Sequence, residues 1–247
     1  MQANPNAADQ SVSAGAPNVG SDAAFRRRIS RWGLLGCALI GLGLLTIPLD
    51  AVTADIVSRF IPEDTIARRV VKLPNHFFAK WGFVIVPAML LLFRDRWRLL
   101  IGFGLPMGVG AAVHLVKFLV GRARPTDGGT PFDFHFLHGD PRMEFDSFPS
   151  AHAAFAMILT ALLGLYFPML RRALIPLVVL VCLGRVAQDR HFVSDVIAGV
   201  GFGLIAVWLV ARRLGCEYYP ALRFSAKTIG VGPMRPDSTA SKEEANK

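Results

Sequence analysis

Six apolar runs, at residues 32–49, 74–93, 99–120, 150–170, 173–188 and 192–211, occupy most of this 247-residue chain. A bilayer core about 30 Å thick is crossed by about 20 apolar residues in helical form. In hydrocarbon every main-chain N–H and C=O has to bond internally, so such runs fold as helices. The reading is an all-α polytopic membrane protein, with six transmembrane helices in a bundle. An even number of spans puts both termini on one side. The second run carries Lys80, and the fifth is short with Arg185 near its end; tilt and snorkelling accommodate both.

Hydrophobic residues make up 53% of the chain and charged residues only 18%, yet the net charge is +9. A soluble nucleic-acid binder of that charge would be richer in charged residues and poorer in apolar runs, so no nucleic-acid partner is expected. The basic residues cluster instead at the ends of spans: Arg26–Arg28 and Arg31, Arg94, Arg96 and Arg98, Arg171 and Arg172, Arg212 and Arg213. With the N-terminus inside, all four clusters fall on the inner side, as the positive-inside rule requires. Both termini are then cytoplasmic, and the connections 50–73 and 121–149 are external. The organisation expected is a disordered polar tail over 1–24, a six-span domain over 25–215, and a cytoplasmic tail over 216–247. Cys37, Cys182 and Cys216 show no paired spacing and read as packing residues. Gly104 and Gly108, and Gly199, Gly201 and Gly203, read as sites of close helix packing.

Ionisable residues at membrane depth are costly and mark functional sites. Lys117 ends the third span, His152 begins the fourth, Arg185 ends the fifth, and His191 and Asp195 begin the sixth. In the topology above all five reach the external membrane surface, which points to one polar site. Lys117 and Arg124 are seven residues apart, so a helix continuing to Pro125 would put both on one face. Ser150 follows Pro149 and precedes an apolar run; as an N-cap it would leave the amides of Ala151 and His152 at the positive end of a helix. His191 and Asp195 are four apart, a spacing at which a carboxylate can hold one imidazole nitrogen. Three cations, a helix N-terminus and two histidines read as phosphate chemistry.

The order Lys117, Arg124-Pro125, then Pro149-Ser150-Ala151-His152, then Arg185, His191 and Asp195 resembles the three-part signature of the type 2 phosphatidic acid phosphatase and vanadium haloperoxidase superfamily, in its bacterial membrane lipid phosphatase branch. The family usually has Gly where Ala151 stands and Ser where Gly184 stands. The resemblance implies that Lys117, Arg124 and Arg185 hold the phosphate, assisted by Ser150 and the amides at Ala151 and His152. It further implies that His191 is the nucleophile, that Asp195 fixes its tautomer, and that His152 protonates the leaving oxygen and then activates water. That scheme needs His191 neutral and His152 protonated at one pH, and no metal or cofactor. The partners implied are a membrane lipid phosphate and the bilayer of a bacterial cytoplasmic (inner) membrane, with the site on the periplasmic face. Phosphatidic acid, phosphatidylglycerophosphate, undecaprenyl diphosphate and lipid A remain open as substrates, as does the oligomeric state.

Other readings stay beside this one. A phosphotransferase would use the same residues, and a transporter would spread ionisable residues over several depths. His114, outside the motif, reads as a buried packing histidine. The external loop carries Asp133, His135, His138 and Asp140, which could be taken for a metal cluster; no helical spacing enforces their convergence, so no metal is expected there. Its phenylalanines fit a lid touching lipid better.

Overall fold

The computed structural model describes residues 19–60, 82–137 and 145–221. Within them the regular elements are helical, apart from one isolated antiparallel bridge between Arg122 and Phe134. Helix α1 spans Val19–Thr46 and runs through a 3₁₀ turn, Ile47–Leu49, into α2, Asp50–Phe60. Then follow α3 (Gly82–Leu90), α4 (Arg96–Gly110), α5 (Val113–Val120), α6 (Ala151–Tyr166), α7 (Arg171–Ala187) and α8 (Val193–Leu214).

Among the described residues three segments are long and apolar enough to cross a membrane: Asp22–Val57, Arg96–Val120 and Val193–Leu214. The fourth run folds as the 16-residue α6 and the fifth as the 17-residue α7, which contains Pro176. The third run is two helices joined at Ala111 and Ala112. Of the second, residues 82–90 form α3, while 74–81, with Lys80, lie outside the described residues. Leu34, Leu45, Trp97, Leu115 and Leu183 all point outward and are exposed. A surface this apolar belongs against lipid.

Helices α6 and α8 form the centre. α8 packs against α1, α4 and α6, and α6 also against α7. Lipid gives helices no hydrophobic reason to associate, so close van der Waals contact has to hold them, and small residues make it. A Cβ added at Gly199 would lie 2.4 Å from the Ser150 carbonyl oxygen, and one at Gly203 equally close to that of Ala154. These glycines let α8 lie directly against the start of α6, as their crowding predicts. Gly104 and Gly108 do not behave so: an added Cβ at either meets nothing within 4 Å. Their spacing puts them on one helix face, but that face is open among the described residues.

The bundle is apolar at one end, where Ile29, Leu99, Phe103, Leu162, Tyr166 and Val207 pack together. At the opposite end it is polar, burying Asp50, Arg122, Ser147, Ser150, His191, Ser194 and Asp195.

α1 starts at Val19, inside the stretch read as a tail, because Asp22 accepts from Arg26 Nε at 2.6 Å and from the Cys216 amide at 3.2 Å, docking the helix start onto the end of α8. The packed unit also runs past 215: Tyr219 is buried, its ring 5.8 Å from those of Phe25 and Tyr166. Residues 1–18 and 222–247 lie outside the described residues. The connection expected over 50–73 is helical through Phe60, and Asp50 at its head is fully buried.

Candidate active site

Lys117 sits in the last turn of α5 and is 5% exposed. The helix does not continue to Pro125: it ends at Val120, and Gly121 turns the chain with φ +55°, where an added Cβ would strike the His135 carbonyl. Arg124 therefore reaches the site from extended backbone rather than from the helix face expected for it. The two cations still converge, on Asp146. Arg124 Nε donates to Asp146 Oδ1 at 2.7 Å, and Lys117 Nζ bonds the Asp146 carbonyl oxygen and lies 3.8 Å from Oδ2. An acidic side chain thus sits where two buried cations could hold an anion.

Ser150 caps α6 by position but not by bonding. Its amide donates to the Asp195 carbonyl oxygen at 3.0 Å, while its Oγ is buried and has no partner among the described residues. Arg185, in the last turn of α7 and half-buried, has an Nε in the same condition. An unsatisfied buried polar group costs about 1–3 kcal/mol, so the site carries two donors that a bound anion would satisfy. Ala151 opens the helix beside them, and His152 in its first turn lies within electrostatic reach of Arg185, Lys117 and Arg124. Lys117, Arg124, Ser150, Ala151, His152 and Arg185 thus gather at one end of the bundle.

His191 and Asp195 are buried next to them at the start of α8. The expected ring bond to Asp195 is not the short one. His191 Nδ1 lies 2.8 Å from the Ser147 carbonyl oxygen and 3.7 Å from Asp195 Oδ2. A carbonyl only accepts, so Nδ1 carries the hydrogen and Nε2 keeps its lone pair. Burial pushes His191 down to about 3, against the opposing pull of Asp195. The imidazole is therefore neutral at ordinary pH.

Asp195 is held elsewhere. Its Oδ1 accepts from Arg122 Nη1 at 2.5 Å, and its Oδ2 from Ser147 Oγ at 2.6 Å and the Phe192 amide at 2.8 Å. Arg122 in turn pairs with Asp50 at 2.7 Å. Sequence reading missed Asp50, Arg122, Asp146, Ser147 and Ser194. Asp50 was legible in principle, as a carboxylate at the end of an apolar run; Ser147 acts through its carbonyl, which no side-chain pattern reveals.

His114 is exposed rather than buried, its ring 6.4 Å from that of Phe155. In the loop expected to be external, His135 Nε2 pairs with Asp133 Oδ1 at 2.7 Å, whereas His138 and Asp140 lie outside the described residues. Phe132, Phe136 and Leu137 are exposed. Gly184, where the family has Ser, lends its carbonyl to Gln188 Nε2 at 2.6 Å.

Over residues 82–215 the sequence matches the family model of the PAP2 superfamily. A lipid A 1-phosphatase of Rhizobium etli is 36% identical over 94 residues, covering 38% of this chain and 40% of the relative. A lipid A 1-phosphatase of Rhizobium johnstonii is also 36% identical over 94 residues, covering 38% of each. The aligned stretch thus spans about two fifths of those relatives' length. Among solved structures, a transmembrane PAP2-type phosphatidylglycerolphosphate phosphatase from Bacillus subtilis matches with a TM-score of 0.51 at 22% identity, over 71% of this chain and 93% of that one. That likeness is one of fold.

Proposed function

Since the chain belongs to the PAP2 superfamily, we propose that it is an integral membrane lipid phosphatase working through a phosphohistidine on His191. The observation that carries this reading is the pair of unsatisfied buried donors, Ser150 Oγ and Arg185 Nε, beside two buried cations and a neutral histidine. Such a site has the charge and hydrogen-bonding capacity to hold a phosphate, and the lone pair of Nε2 to attack it.

In the first step Nε2 of His191 attacks phosphorus and forms the P–N bond as the P–O ester bond breaks. The leaving oxygen takes a proton from His152. In the second step His152 takes a proton from water, the water oxygen attacks phosphorus, and the P–N electron pair returns to Nε2. Lys117, Arg124, Arg185, Ser150 and the amides at Ala151 and His152 hold the phosphoryl oxygens as charge moves onto them; such a donor is worth about 3–4 kcal/mol in the transition state. No step requires a metal or cofactor.

The fuller architecture is a six-span bundle with both termini cytoplasmic and the site at the outer face of a bacterial inner membrane. The four arginine clusters support that orientation. A lipid phosphate reaches a site at this depth without leaving the bilayer, and Phe132 and Phe136 make the loop a lid against it. The names of the relatives make lipid A and phosphatidylglycerophosphate the substrates to try first, with phosphatidic acid and undecaprenyl diphosphate beside them.

The test is phosphate release from these four lipid classes by the protein in detergent, with His152→Ala and His191→Ala as controls. Release from at least one class, lost in both variants, is expected. Folded parent protein that releases phosphate from none of them would refute the reading.

A further inference from the structure

Arg122 is the largest fully buried side chain of the described residues, and the catalytic scheme gives it no part. All five of its N–H groups are engaged. Nε donates to the Pro131 carbonyl at 3.1 Å, Nη2 to the same oxygen and to Asp50 Oδ2, both at 2.7 Å, and Nη1 to Ser194 Oγ at 2.7 Å and Asp195 Oδ1 at 2.5 Å. The guanidinium carbon lies 4.3 Å from the centre of the Phe192 ring and 5.5 Å from that of Phe134. Asp50 also accepts from the Ser194 amide at 3.1 Å and bonds Ser194 Oγ.

A buried cluster of one cation and two carboxylates costs more in desolvation than an apolar filling of the same volume. Its bonds explain why it stands here. They close a ring through the nucleophile: the Ser147 amide donates to the Arg122 carbonyl at 2.9 Å, Ser147 Oγ to Asp195, and the Ser147 carbonyl accepts from His191. The orientation of His191 is thus set by Ser147, and Ser147 is gripped at both ends by Arg122, once directly and once through Asp195.

We propose that Arg122 and Asp50 are positioning residues for the nucleophile: Arg122, balanced by Asp50, clamps Asp195 and Ser147 so that His191 is held in line with the phosphate. The inference rests on the phosphatase reading above and deepens it. Lys117, Arg124 and Arg185 bind outside this ring, so loss of the clamp should misplace the nucleophile and leave the phosphate cations where they are.

Removing Arg122 alone strands two buried carboxylates and invites misfolding. The informative variant is Arg122→Gln/Asp50→Asn, which removes one charge of each sign; Asp50→Asn alone is the milder companion. Each full-length protein is purified in detergent, its fold checked by circular dichroism and gel filtration, and its affinity for inorganic phosphate and for orthovanadate measured by calorimetry. Vanadate takes up a five-coordinate geometry with the nucleophile, as the transition state does, whereas phosphate needs only the cations. The double variant should bind phosphate within about twofold of the parent and vanadate about tenfold or more weaker, with kcat lower by roughly 10- to 100-fold and KM unchanged. Asp50→Asn should show the same pattern at smaller amplitude. Parental vanadate affinity and kcat in either folded variant would overturn the proposal. So would an equal loss of phosphate and vanadate affinity, which marks a general scaffold rather than a clamp on the nucleophile. Because binding is read directly, a parent protein inactive on every lipid would defeat the phosphatase reading and still leave the clamp decided by the two affinities.

Discussion

Asp146 Oδ1 accepts a hydrogen bond from Arg124 Nε at 2.7 Å, while its Oδ2 lies 3.8 Å from Lys117 Nζ. Under the proposed phosphatase reading, this carboxylate occupies the cations that the phosphate would need, and the substrate would have to displace it. Asp146→Asn removes the competing charge. Phosphate inhibition should tighten and KM fall, each by about three- to tenfold. Inhibition kinetics at fixed pH check this, and an unchanged or weaker phosphate affinity would count against displacement.

Ser150→Ala should separate stability from turnover. The Oγ has no partner among the described residues, so replacing it with hydrogen removes a buried unsatisfied group at little or no cost in stability. The same hydroxyl is one of the donors a phosphoryl group would meet, and kcat should fall about tenfold or more. Thermal unfolding in detergent and steady-state kinetics read the two effects. A marked drop in melting temperature would show the hydroxyl to be structural.

Burial pushes His191 down to about 3, and this carries a stability consequence of definite sign. The unfolded histidine titrates near 6.5, so between pH 6.5 and 3 the unfolded state binds the extra proton. Stability therefore rises with pH across that window and is lost as the solution is acidified. By pH 5 the contribution is about 2 kcal/mol. His191→Asn, which cannot take the proton, should lose less stability than the parent between pH 7.5 and 5. Parallel unfolding curves for the two proteins would contradict the assignment.

The two sets of glycines make opposite predictions. At Gly199 a Cβ would lie 2.4 Å from the Ser150 carbonyl oxygen, so Gly199→Ala should push the start of α6 away from α8 and cut kcat. At Gly104 there is open space among the described residues, and Gly104→Ala should leave activity intact and gain up to about 1 kcal/mol from helix propensity. Activity and melting temperature of the two variants, side by side, decide the matter.

The same contrast separates what the amino-acid sequence makes legible from what only the folded chain reveals. Lys117, His152, Arg185 and His191 stand out because a charge or imidazole beside an apolar run has to have a reason. The helix-packing role of Gly199 is legible from crowding, whereas Gly104 and Gly108 have the right spacing on a face that meets nothing among the described residues: periodicity fixes a face and not its neighbour. Arg124 reaches the site, but through the turn at Gly121 and not along a helix, which the seven-residue spacing could not distinguish. Asp146 and Ser147 are hidden for another reason. Their roles come from where a long connection returns to the bundle, and Ser147 acts through a main-chain carbonyl that every residue type possesses. Asp50 and Arg122, 72 residues apart, meet only once α2 and the turn after α5 have been brought together.

Whether His191 carries the phosphoryl group is decided most directly by looking for acid-sensitive, base-stable phosphate on the protein during turnover of a radiolabelled lipid phosphate, mapped to its peptide after rapid quenching in alkali. Label is expected on the peptide containing His191, and none in His191→Ala. Full turnover by the parent without protein-bound phosphate, or hydrolysis at the parental rate by folded His191→Ala, would contradict it.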